Sequence, residues 1–279
     1  MKSKLYLFAL LFTASFIFTA CDRDEPVTSV SLDHSTLTLI VGETEVLIAT
    51  VTPKNADDKT VMWTSSNSNV ASVDENGVIT AVSIGTTTIT ARAGSQTAAC
   101  IVNVKDGVRI ADVIWATRNV DAPGTFAENP EDAGMFFQWN RLRGWSATGG
   151  VTGWNSSVPR GTKWYAENDP CPPGWRVPTS EQLISLHAAG YEWISNWNDT
   201  GANGRVFGTY PNQIFLPAVG WRHGYTGVLY GAGIWGNYWS NAQFYNELVQ
   251  GLYFDIDVIN PMFGFWRTNG LSVRCVSDN

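Results

Sequence analysis

Asp-Pro-Cys-Pro-Pro-Gly-Trp-Arg-Val-Pro-Thr-Ser-Glu-Gln-Leu-Ile-Ser-Leu, residues 169–186, puts a cysteine, a tryptophan, an arginine and a helix start into one proline-rich run. Thr179 follows Pro178 and stands three residues before Gln182. That is capping-box spacing: the hydroxyl accepts a backbone N–H of the first turn, and the side-chain amide reaches back to the cap. Glu181 falls in the first turn, where the helix dipole favours a negative charge. Leu183, Leu186 and His187 share a face, and Gly190 fits the position just past the end, so the pattern predicts a helix over 180–189. Cys171 needs a partner, and the last strand-like stretch, Asn-Gly-Leu-Ser-Val-Arg-Cys-Val (269–276), offers Cys275.

Around this run lies a segment, 107–279, rich in aromatics and glycine. Twelve of the thirteen tryptophans fall between Trp115 and Trp266; only Trp63 precedes them. Residues 108–116 read as a strand and 135–139 as a buried strand or short helix, whereas 143–165 read as long loops held by aromatic packing. Further strands are expected at 215–220, 237–241, 251–256 and 271–276, with turn chemistry between Trp221 and Gly236.

Upstream, residues 27–105 have a different design. Short runs with period two and many β-branched residues fall at 30–32, 36–39, 46–51, 61–63, 70–73, 78–82, 86–91 and 100–104. Gly42, Pro53, Asn55, Gly77 and Gly85 punctuate them where turns need them. This argues a β-sandwich. Val-Gly-Glu-Thr (41–44), Val-Thr-Pro (51–53), Trp-Thr-Ser-Ser-Asn (63–67), Val-Ala-Ser-Val (70–73), Gly-Val-Ile-Thr-Ala (77–81) and Gly-Thr-Thr-Thr-Ile-Thr-Ala (85–91) occur in order. Together they resemble the bacterial immunoglobulin-like group 2 domain, which implies a surface protein and often a spacer. Trp63 and Cys100 read as core residues, the thiol behaving as a small hydrophobe.

At the N-terminus Lys2 and Lys4 precede an apolar run, Leu5 to Phe18, then Thr19, Ala20 and Cys21. This is the layout of a secretory signal over 1–20, too short for a comfortable membrane span. A small residue before cysteine resembles the bacterial lipoprotein signal, which implies lipidation of Cys21. The acidic tether 21–26 resembles the surface-export signal of Bacteroidetes lipoproteins. The expected location is therefore the outer membrane, facing outward, with membrane contact through the lipid. The chain is 44% hydrophobic and 15% charged, a globular composition, and its net charge of −7 argues against a nucleic-acid partner. No phosphate-binding glycine loop follows a strand.

The second segment carries its own resemblance. Asp-Pro-Cys-Pro-Pro-Gly-Trp-Arg-Val-Pro-Thr (169–179), Phe-Leu-Pro-Ala-Val-Gly-Trp-Arg (215–222), Tyr-Trp-Ser-Asn (238–241) and residues 269–276 resemble the Fibrobacter succinogenes major paralogous domain. That family is related in fold to C-type lectins and sulfatase-modifying enzymes. The resemblance implies a Cys171–Cys275 bridge. The expected fold is thus two domains: an all-β immunoglobulin-like sandwich (27–105), then a mixed α+β, loop-rich C-type-lectin-like domain (107–279).

For function, His187 and His223 stand 36 residues apart without a metal motif, and no nucleophile elbow exists. Asp255 and Asp257 could share one strand face, as a calcium site, as a carboxylate pair acting on a glycoside, or simply as a solvated strand face; no cofactor other than calcium is expected. Trp197-Asn198-Asp199 resembles the calcium-binding tripeptide of lectins, but it sits before a loop, away from the C-terminal cysteine. Ligand contacts are expected from Trp221, Arg222, His223, Tyr225, Tyr230 and Trp235, in the segment equivalent to the ligand-binding loops of lectin-like folds. The expectation is non-catalytic adhesion to an extracellular glycan or protein. A structural subunit of a surface assembly and a cryptic metal-dependent enzyme are the rivals.

Overall fold

A computed structural model describes residues 25–278; Cys21 and the signal segment lie outside the described residues. In the first half, Thr36–Ile40, Gln96–Lys105, Gly85–Ala93 and Met62–Ser65 form one sheet in that order, the first pair parallel. Thr44–Val46, Val78–Ala81 and Ala71–Val73 form a second, and Ser29–Leu32 pairs with Ala49–Thr52. Leu39, Leu47, Ile79, Ile89, Cys100 and Val102 close the core between them, with Trp63 packed against it. Burial pushes the Cys100 thiol up, consistent with an inert apolar role.

One predicted strand, 46–51, is two. Val46 pairs with Val78, whereas Ala49 pairs with Leu32. Between them Leu47 donates its N–H to the Gly77 carbonyl and Ile48 donates to the Asp33 carboxylate. The chain changes sheets there, which alternation alone does not reveal. Gly77, at φ +80°, is fixed by this crossing: a Cβ would stand 2.6 Å from the Leu47 oxygen.

The second half also departs from expectation. The run 108–116 is a hairpin, Gly107–Ile110 against Val113–Ala116, turning at Ala111 (φ 47°) and Asp112 (φ 62°). Two successive positive φ values suit a two-residue hairpin loop, usually signalled by Asn-Gly; Ala-Asp gave no such signal. Val276–Ser277 pairs with both Val113–Ala116 and Trp175–Arg176, so the chain end lies between the opening hairpin and the proline-rich run. Gly144–Ser146, Met135–Gln138, Gly270–Leu271, Trp221–Arg222 and Leu229–Tyr230 form a five-stranded sheet. Two three-stranded antiparallel sheets follow: Tyr191–Ile194, Gly204–Thr209 and Asn212–Pro217, and Gly236–Tyr245, Leu248–Phe254 and Ile259–Trp266.

The single α-helix among the described residues is Ser180–Ala188. Its capping box is complete: Gln182 N donates to Thr179 Oγ1 at 3.2 Å, and Thr179 N donates to Gln182 Oε1 at 2.9 Å. Leu183 and Leu186 bury against Trp115, Phe207 and Phe254. The expected α+β mixture is accordingly a strand-built architecture with one helix. Elsewhere the glycines and paired aromatics leave no uninterrupted helical period, and hairpins take their place.

Cys171 and Cys275 are bonded to each other, 104 residues apart in sequence. They sit in a core with Phe137, Trp139, Trp164, Trp239 and Phe265. Asp169 fastens the approach: its carboxylate accepts Cys171 N at 2.9 Å and Val177 N at 3.1 Å, while burial pushes its pKa up.

Strand Gln96–Lys105 runs through Asp106 directly into strand Gly107–Ile110. Lys105 Nζ donates to the Gly174 carbonyl, to Ser277 Oγ at 2.7 Å and to Asp278 at 3.0 Å, and lies over the Trp175 ring. On the other side Arg109 grips Glu43 with two bonds, 2.8 and 2.9 Å. The Arg109 hydrogen bonds hold the Glu43 carboxyl below its ordinary value of 4.5. A depressed folded pKa stabilises fully above the unfolded value and is lost as pH falls through the folded one. Calorimetry at pH values below about 4.5 is therefore expected to show the stability gap between wild type and Glu43→Gln closing, on top of the fall that the other carboxylates held below their ordinary range, Asp33 and Asp255 among them, give both proteins.

Candidate functional site

The hairpin Trp221–Arg222 and Leu229–Tyr230 is registered Trp221 opposite Tyr230. Side chains alternate along it. Trp221 and His223 fall on one face and form an aromatic ladder: Trp221 to Tyr230 is 5.8 Å, Trp221 to His223 5.9 Å, His223 to Tyr225 5.9 Å and His223 to Tyr230 6.2 Å between ring centres. Tyr225 at its tip is 72% exposed.

Arg222 points the other way, and its expected role as a ligand contact is corrected. It is fully buried. Nε donates to Ser146 O at 2.8 Å, Nη1 to Gly227 O at 2.6 Å, and Nη2 to Thr148 O and Gly149 O at 3.1 and 3.0 Å. The guanidinium is spent on carbonyls that pin the 146–149 loop beneath the hairpin. Its position one residue from Trp221 on a strand was the available signal.

Trp235 is half-buried against Gly231, whose Cβ would stand 2.1 Å from the indole ring. Trp221 and Trp235 share a cleft of about 490 Å³ with Asn237, Tyr253, Phe263, Trp266 and Asn269. Sequence reading missed these last five. They arrive from three strands and a turn, and Ile259–Trp266 contains Pro261, which argues against a strand unless it lies at an edge. Here Ile259–Trp266 is the edge.

Trp266, 54% exposed, forms the rim. Asn237 and Asn269 are 2% and 7% exposed. Asn237 Nδ2 donates to Gly220 O at 3.3 Å. The Asn269 carboxamide has no hydrogen-bond partner among the described residues. No charged side chain lines the cleft among the described residues.

Asp255 and Asp257, the expected calcium candidates, are not gathered into a cation site. Asp255 Oδ2 accepts Tyr253 Oη at 2.6 Å, and Oδ1 accepts Asp257 N at 2.9 Å and Val258 N at 2.7 Å. Burial raises this carboxyl, but the Tyr253, Val258 and Asp257 hydrogen bonds more than offset it and leave it below the ordinary range. Tyr253 is pushed up to about 12, by burial first and then by Asp255. Asp255 closes a turn with both oxygens engaged, and no group of three metal-ligating side chains occurs among the described residues. Trp197 stacks on Phe215 at 4.4 Å, and His187 stacks on Tyr191 at 4.9 Å.

The bacterial Ig-like domain (group 2) family matches residues 26–104. An uncharacterised protein of Clostridium acetobutylicum is 39% identical over 134 residues, 43% of this chain and 14% of that protein. A 3-O-alpha-D-galactosyl-alpha-L-arabinofuranosidase of Bifidobacterium longum subsp. longum is 60% identical over 53 residues, 19% of this chain and 5% of the enzyme. The chain thus spans a small part of either relative's length. Among solved structures, domains 1–6 of the S-layer protein SbsC align at 21% identity with a TM-score of 0.28, over 37% of this chain and 17% of that one. Residues 26–104 are a bacterial Ig-like domain of group 2, and the aromatic cleft lies wholly outside them.

Proposed function

We propose that the protein is a surface lipoprotein that binds an extracellular glycan or protein without catalysis. In this reading a lipid on Cys21 anchors it in an outer membrane, residues 21–26 form a tether, and the Ig-like domain is a spacer. Residues 107–279, with their Fibrobacter paralogous and lectin-like motifs, present the binding surface. The carrying observation is the aromatic ladder beside an uncharged, aromatic-walled cleft. Exposed aromatic clusters of this kind mark recognition surfaces. Calcium is not needed in this reading, because Asp255 is engaged in its turn.

Two measurements test it. Cys21→Ser is expected to move the protein from the membrane pellet to the soluble fraction; retention in the pellet would sink the anchor. Wild-type protein is expected to bind in a glycan array or a host-matrix screen, and a clean negative in both would sink the binding role. A second reading, a structural subunit of a surface assembly, is favoured by the domain junction, which Lys105 and Arg109 fasten on both sides. Concentration-dependent self-association on a sizing column, without binding in either screen, would select it.

A further inference from the structure

Resting on the binding reading above, the cleft itself carries a more specific conclusion about what is bound. Its walls are the rings of Trp221, Trp235, Tyr253, Phe263 and Trp266. Its polar groups are two carboxamides. Asn269 is 93% buried by its 7% exposure, yet neither its oxygen nor its nitrogen meets a protein partner. Asn237 uses one N–H on Gly220 O and leaves its oxygen without a protein donor. Among the described residues neither amide is one of the fully enclosed unpaired polar groups, so their open atoms reach into the cleft, and two unspent carboxamides converging in one aromatic cleft point to a partner that is not part of the chain.

The chemistry of that partner follows from the lining. Flat apolar rings match the C–H faces of a pyranose, and carboxamides match its hydroxyls, each of which both donates and accepts. An acidic sugar would enter an aromatic cleft with no cation to receive it, at a desolvation cost. A proline-rich peptide would suit the rings. But proline has no N–H, so the open oxygens of Asn237 and Asn269 would stay without donors. Tyr253 cannot supply the missing donor either, because its proton is committed to Asp255 at 2.6 Å.

We infer that the cleft is a subsite for one uncharged pyranose ring, stacked against the indoles of Trp266 and Trp235 and hydrogen-bonded by Asn269 and Asn237. Trp266 has the exposed face needed to receive a ring entering from solvent. The hairpin ladder ending at Tyr225 stands next to it and shares Trp221, so a longer chain of sugars has a second aromatic surface to follow.

The test is an array of immobilised cellohexaose, mannohexaose and xylohexaose, with hexagalacturonate, a sulfated chondroitin oligosaccharide and decaproline beside them. Wild-type protein is compared with Trp266→Ala, Asn269→Ala and Tyr245→Ala, the last an exposed aromatic outside the cleft. Near-UV circular dichroism checks that each is folded; because Trp266 is a rim residue, its removal leaves the core intact. Retention of at least one neutral oligosaccharide is expected, weakened about tenfold or more by Trp266→Ala and unchanged by Tyr245→Ala. Asn269→Ala, if folded, is expected to weaken it similarly.

Retention that ignores Trp266→Ala overturns the subsite but leaves the binding reading standing. Stronger retention of the acidic oligosaccharides overturns the uncharged class. Decaproline held in place of the sugars overturns the saccharide class in favour of a peptide. Failure of every probe overturns the inference, while the host-matrix screen decides the broader reading separately.

Discussion

Cys171→Ser, or reduction of the wild-type protein, is expected to destabilise the second half of the chain by about 4–5 kcal/mol in the chain-entropy account of cross-links. The bridge joins residues 104 apart, so its loss frees a long loop in the unfolded state. Within that loop lie the helix, both three-stranded sheets and every lining residue of the aromatic cleft. A folded-state loss adds to the entropic one: Cys275 is fully buried among Trp139, Trp164 and Trp239, and serine at 171 would bring a hydroxyl to that core. Urea unfolding followed by tryptophan fluorescence reports on this half, because twelve of the thirteen tryptophans belong to it. The midpoint is expected to fall sharply while the Ig-like half, which has no bridge, keeps its own transition. An unchanged fluorescence midpoint would remove the bridge from the account of stability.

The bridge and the capping box were both legible because their determinants are local or few. Thr179 and Gln182 lie three residues apart, and only four cysteines exist to be paired. The first half was legible strand by strand because one face is buried and the other wet. It failed only at Leu47 and Ile48, where the chain crosses between sheets. The cleft was half legible. Trp221 and Trp235 announced themselves by their setting in a turn-rich segment, but Asn237, Tyr253, Phe263, Trp266 and Asn269 are brought to them by long-range pairing that no local pattern encodes. Arg222 shows the opposite error. It was expected to touch ligand because it falls in the segment equivalent to the ligand-binding loops of lectin-like folds, whereas period-two alternation placed it in the interior as a donor to four carbonyls. Place in a loop-equivalent segment is a poor guide until the face has been assigned.

Arg274 extends that lesson to the motif that made the segment recognisable, and Arg274→Ala is expected to cost about 3–5 kcal/mol. The guanidinium is fully enclosed. Nε and Nη2 donate to Asn119 Oδ1 at 3.1 and 2.8 Å, and Nη1 donates to Thr117 O at 2.7 Å and Ala116 O at 3.3 Å. Asn119 Nδ2 passes the network on to Asp132 O, Ala133 O and Tyr238 Oη, and Tyr238 donates in turn to Pro217 O at 2.9 Å. One side chain thus joins the chain end to the opening hairpin and to the strand that carries Asn237. Burial pushes Arg274 down to about 10, so it remains charged at neutral pH without a carboxylate partner, held by oxygen dipoles. Truncation would leave Asn119 Oδ1 and Thr117 O buried without these donors, and the volume of the lost side chain would add a cavity. Arg274→Lys keeps the charge but replaces a planar fork with a point donor, so it is expected to recover only part of the loss. The check is the same fluorescence-detected urea titration, run on wild type and both variants: a midpoint order of wild type, then lysine, then alanine supports the network, and a lysine variant as stable as wild type would show that charge alone, not the fork, holds the chain end in place.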